Sequence, residues 1–118
     1  MLKFLARLLG AASPEPAAGA RSPRWPQVRA AHLKTEPACA ACGRTVDVEV
    51  HHVVPVAEAL RRGQPELELD PTNLITLCAD PCHLVHGHLM SWLRWSPSVR
   101  ADAAAYRARL DAARRRPS

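Results

Sequence analysis

The chemistry of this chain is concentrated between Cys39 and His88, where all four cysteines and five of the six histidines lie. They run in the order Cys39-Ala-Ala-Cys42, then His51-His52, then Asn73, then Cys78-Ala-Asp-Pro-Cys82-His83-Leu-Val-His86-Gly-His88. Thiolates are soft ligands that fill all four positions of a structural zinc, whereas imidazoles that leave positions open suit a reactive cation. The interleaved order therefore points to two metal sites of different character. Histidine also supplies a base that titrates near neutral pH, and a cation beside it can stabilise charge on a phosphoryl group. Hydrolysis of a phosphodiester needs both.

Cys39 and Cys42 form one arm of the expected zinc site. Cys78 and Cys82 form the other, after 35 intervening residues. The second arm is C-x-x-x-C, one residue longer than the first. Two disulfides are the competing reading of four cysteines. The first ten residues carry Arg7 within a short apolar run and do not read as a secretory signal, so four reduced ligands to one Zn2+ are expected. No apolar stretch approaches the roughly 20 residues of a membrane span, and a cytoplasmic location is expected.

The run Glu49-Val-His51-His52-Val-Val-Pro55, followed by Asn73-Leu-Ile-Thr-Leu-Cys78 and Cys82-His83, resembles the HNH endonuclease family. The resemblance covers about Trp25 to Trp95 and extends to Gly87-His88-Leu89 and Trp92. It implies an α+β fold, a small ββα-metal finger closed over one divalent cation (Mg2+, Mn2+, Ni2+ or Zn2+). It further implies that His51 ligates that cation and His52 is the general base. Asn73 would hold the far ring nitrogen of His52 or steady the loop, and His83 would be the ligand from the helix. His88 is the expected third ligand if Gly87 bends the helix. On an unbroken helix His86 would share the face of His83, and His88 would be rotated by about 140°. A purely structural zinc module with unused histidines is the bland alternative, and His32, outside the constellation, is read that way.

These residues need elements to hold them. Residues 1–24 read as a flexible segment, with a short amphipathic stretch at Met1–Leu9 and a Pro/Ala-rich linker over Ala11–Arg24. Residues 25–96 are the expected nuclease domain. It opens with a helix from Trp25 to Lys34, with Pro26 in its first turn, followed by the knuckle, where Gly43 takes a positive φ. Val46–Val54 alternates as a half-buried strand that Pro55 ends. Adjacent strand positions face opposite ways, so His51 and His52 can serve one site only if the strand twists or stops there. A short helix is expected over Val56–Arg62, stopping at Gly63, then an acidic loop over Glu66–Thr72. Asn73–Cys78 reads as a second strand and His83–Trp95 as a helix bent near Gly87. Residues 97–118 form a basic helix, capped by Ser98, with the stripe Val99, Ala103, Tyr106, Leu110 and Ala113.

Charge is partitioned along the chain. Residues 1–35 carry six Lys/Arg against Glu15 (+5), residues 36–90 three against eight acids (−5), and residues 91–118 seven against two (+5). Basic flanks around a cation-binding centre suit a polyanion, and the family resemblance implies that this partner is double-stranded DNA. Arg100, Arg107 and Arg114 recur every seven residues and are candidate phosphate contacts on the last helix, with dipole-complementing arginines the alternative for its end. Trp92 and Trp95 are expected to pack rather than stack on bases. An HNH endonuclease is the leading reading; a non-catalytic zinc-binding adaptor on the same scaffold is the alternative.

Overall fold

A computed structural model describes residues 21–116; the expected Met1–Leu9 helix and the first ten residues of the linker lie outside the described residues. Two strands, β1 (Val48–His52) and β2 (Leu74–Cys78), pair antiparallel, with His51 opposite Ile75 and His52 opposite Leu74. Around them are α1 (Trp25–Thr35), α2 (Val56–Arg61), a single π-helical turn (His83–Gly87) and α3 (Val99–Arg115). The result is an α+β fold in which a hairpin and a following helical turn flank a four-cysteine cluster.

The strands are shorter than the alternating pattern suggests, for local reasons. Asp47 takes φ 52°, a left-handed conformation that cannot continue a strand, so β1 starts at Val48. Asn73 lies in a 3-10 turn whose entry residue, Asp70, accepts from Thr72 N–H, so β2 starts at Leu74. All five β2 residues are buried, because both faces are covered. Ile75, Leu77 and Cys78 join Cys39, Ala41, Cys82, Val99 and Ala103 in one core, which sets α3 and the knuckles against one face. The outer edge of β2 is covered as well: Thr76 N–H donates to the Glu36 carboxylate at 2.6 Å, and Ala40 N–H donates to Thr76 O.

Gly43 and Gly63 adopt φ +85° and +73°, ending the first knuckle and α2 as their positions suggest. Of the expected stripe on the last helix, Val99 and Ala103 are buried and Leu110 is half-buried; Tyr106 is exposed, as is Ala113. Ser98 does not cap it through a backbone N–H. Its hydroxyl donates instead to the Asp102 carboxylate at 3.0 Å. Among the described residues no helix is long and apolar enough to cross a membrane.

Candidate active site

The four thiols converge, their sulfurs all within 4.8 Å of one another, and none of them is in a disulfide. Each arm has the same local build. Cys42 N–H points at Cys39 Sγ (3.4 Å) and Cys82 N–H at Cys78 Sγ (3.5 Å), so the extra residue of the second arm is absorbed without loss of that contact. Across the arms Cys42 Sγ is 3.8 Å from Cys78 Sγ. A tetrahedral zinc with Zn–S bonds of about 2.3 Å has sulfur–sulfur edges of about 3.8 Å, so the cluster fits that ion.

The titration of the thiols agrees. Burial raises the Cys39 thiol, but the backbone contacts of Cys42, Cys78 and Ala41 outweigh it and bring it down to about 7. Burial, together with the Cys39 charge, pushes Cys78 and Cys82 upward. Neighbouring thiolates repel, and a divalent cation is what permits all of them to ionise.

A second cluster gathers around His51 of β1 and the π-helical turn. His51, His83 and His88 each offer a ring nitrogen within the same 4.8 Å limit. Their ring centroids are 4.8, 5.0 and 4.9 Å apart, a nearly equilateral triangle. His83 Nε2 is 3.0 Å from His51 Nδ1, the separation of two nitrogens that share a cation at about 2.1 Å with adjacent coordination positions. The far nitrogens of His83 and His88 are engaged as well. His83 Nδ1 donates to Glu49 Oε1 (2.9 Å) and His88 Nδ1 donates to Arg94 O (2.7 Å). Such contacts orient each ring and leave Nε2 as its lone-pair atom. Trp92 packs edge-on against His83 and tilted against His88.

The π-helical turn explains how His88 reaches this cluster. Where the backbone bonds from i to i+5, five residues make roughly one full turn, so His88 returns over His83 instead of rotating away. His86 is excluded by the same geometry, and its ring lies 5.1 Å from that of Tyr106. The expected bend at Gly87 is thus a widened turn, and the expected helix to Trp95 stops. Leu89 and Met90 take φ 52° and 69°, and Met90 N–H closes on Leu84 O. Left-handed backbone costs a non-glycine residue about 1–2 kcal/mol, and such strain clusters at functional sites. Gly87 leaves room for the His51 ring, which a Cβ at this position would press at 3.0–3.3 Å.

His52 stands outside this cluster. As the last residue of β1 it faces the opposite way from His51, toward α1, where its ring lies 4.5 Å from that of Trp25. Its Nε2 donates to Glu68 O at 2.9 Å, since a carbonyl only accepts, and Nδ1 is therefore the basic nitrogen. The Asn73 side chain bonds to the neighbouring backbone. Its Oδ1 accepts from Val54 N–H, and its Nδ2 donates to Val54 O and Leu67 O, clamping the loop that carries Glu68. His32 pairs with Glu36.

Two of the three candidate phosphate arginines are used within the fold. Arg100 donates to Thr72 O and Leu74 O, and Arg107 pairs with Asp111 beside Gly43. Arg114 is exposed near the end of α3. Sequence reading assigned no role to Glu49, Glu68, Arg21 or Trp25. Glu49 was detectable, since it lies two residues from His51 on one strand face; the others lie too far away in the chain to signal themselves. Arg21 and Ser22, at the end of the expected linker, touch His52 and Glu68.

Residues 39–88, the segment that holds both clusters, match the family model of HNH endonucleases. No curated protein and no solved structure matches the chain.

Proposed function

We propose, from the match of residues 39–88 to the HNH endonuclease family model, that the protein is a metal-dependent endonuclease that hydrolyses phosphodiester bonds in double-stranded DNA. The observation that carries this reading is the His51–His83–His88 triangle, with the far nitrogens of His83 and His88 held by Glu49 and Arg94. An adaptor needs only the four-cysteine site. Three imidazoles leave coordination positions open, and a divalent cation held there supplies charge stabilisation to the phosphoryl oxygens and the leaving 3′ oxygen. Cys39, Cys42, Cys78 and Cys82 hold zinc for the fold and take no part in the chemistry.

His52 accepts the proton of the attacking water at Nδ1 as the water oxygen bonds to phosphorus and the bond to the 3′ oxygen breaks. The Glu68 carbonyl fixes the tautomer that leaves Nδ1 free of a proton, and it stabilises the imidazolium that forms. Asn73 holds that carbonyl in place through the loop. Arg114 and Arg115, exposed at the end of α3, are the phosphate contacts this reading retains from the basic helix. Arg100 ties the helix to the start of β2, and Arg107 pairs with Asp111 within the helix.

The test is incubation of the purified protein with supercoiled plasmid and Mg2+, Mn2+, Ni2+ or Zn2+, with and without chelator. Nicked or linear plasmid that chelator abolishes is expected. Intact plasmid with every cation, from protein that carries its zinc, would refute the nuclease reading in favour of the adaptor.

A further inference from the structure

Among the described residues, the guanidinium of Arg21 lies against the proposed base. Its Nη1 lies 3.4 Å from His52 Nδ1, and its guanidinium carbon is 5.3 Å from the centre of the Trp25 ring, which itself packs on His52. Ser22 N–H, next in the chain, donates to Glu68 Oε2 at 2.8 Å. Glu68 is largely buried and so serves twice: its carbonyl sets the His52 tautomer and its carboxylate pins the segment that carries Arg21. Base and guanidinium are thereby positioned from a single residue.

We propose that Arg21 binds the scissile phosphate beside His52, fixing it against the water that the histidine activates. This rests on the nuclease reading above. A nucleophilic water must lie roughly 3 Å from both the base nitrogen and the phosphorus. A guanidinium that now reaches that nitrogen is therefore within reach of the non-bridging oxygens of the phosphate under attack. At 3.4 Å its contact with Nδ1 is at the long limit of hydrogen bonding, so an incoming water displaces it easily. A planar fork of N–H donors matches two phosphoryl oxygens, and Trp25 holds its plane. A strongly hydrated ammonium would supply charge without that geometry.

The experiment uses the full, zinc-loaded chain in single-turnover cleavage of a labelled duplex with Mn2+, and in binding to the same duplex across a salt series. Arg21→Ala is expected to slow cleavage by about 10²-fold, the effect of removing one preorganised donor. It should also reduce the log–log salt slope of binding by about 0.9, one phosphate contact. Arg21→Lys should recover the slope and not the rate, and it carries the test should Arg21→Ala melt early. Zinc content should match wild type in both. Cleavage by Arg21→Ala at the wild-type rate would overturn the proposal, and so would faster cleavage, which would make Arg21 a cover over the base. Zinc-loaded wild-type protein that leaves the duplex intact with Mg2+, Mn2+, Ni2+ and Zn2+ alike would instead remove the nuclease reading itself.

Discussion

Gly87→Ala tests the histidine triangle without touching a ligand. An ideal Cβ at Gly87 would lie 3.0 Å from His51 Cε1, 3.1 Å from Nε2 and 3.3 Å from Nδ1. Ordinary contact begins at 3.4 Å, so the ring must retreat by a few tenths of an ångström. His51 is only 3% exposed and has His83 and His88 at its other sides, so it retreats by disturbing them. Overpacking of this kind costs about 1–3 kcal/mol, and the smaller freedom of alanine in the unfolded chain offsets about 0.4–1 kcal/mol of it. A net loss of about 1 kcal/mol corresponds to a fall of about 4–8 °C in Tm for a domain of this size. The cation site should suffer more than the fold. A displacement of about 1 Å in a catalytic constellation costs about 10²-fold, so a smaller one should weaken the second cation by about 10-fold and slow cleavage by 10- to 10²-fold. The assay is calorimetric titration of zinc-loaded protein with Ni2+, followed by single-turnover cleavage. Gly63→Ala is the control. Its Cβ meets nothing within 4 Å, but φ is +73°, so it should lower Tm and leave Ni2+ affinity unchanged. Wild-type Ni2+ affinity and cleavage in Gly87→Ala would refute the assignment of His51 to the cation site.

His52→Ala should slow cleavage by about 10²–10⁴-fold with the content of both metals unchanged, measured by single-turnover kinetics and elemental analysis. Cys82→Ser should release zinc and unfold the segment between the knuckles, read by circular dichroism and metal content, because structural zinc contributes directly to folding. A folded, zinc-free protein of normal Tm would contradict the site. Glu49→Gln should weaken the second cation by about 10–100-fold through the loosened His83 ring, leaving the structural zinc in place. Arg100→Ala should lower stability by about 1 kcal/mol in chemical denaturation, with DNA affinity unchanged, because its donors serve Thr72 O and Leu74 O. Arg114→Ala with Arg115→Ala should do the reverse, weakening binding to unrelated duplexes alike and flattening the salt slope.

Much of this arrangement was legible before any coordinates. Ligand type and spacing are local properties, so Cys39, Cys42, Cys78 and Cys82 announce a four-thiolate site. The strand through Val48–His52 and the turns at Gly43 and Gly63 follow equally from residues close in the chain. The tertiary structure decided what depends on backbone geometry and on partners distant in sequence. His88 lies near His51 and His83 because the turn after Cys82 is π-helical, and a sequence pattern does not separate a widened turn from a bent helix. Arg100, Arg107 and Arg114 share one spacing, yet only Arg100 bonds to the β2 strand, because what surrounds α3 differs along its length, while Arg107 pairs with Asp111 on its own helix. Arg21 and Glu68 flank His52 across 31 and 16 positions of chain, respectively. Spacing determines which side chains share a local face; which distant backbone carbonyl or cation completes that face is set only when the chain closes on itself.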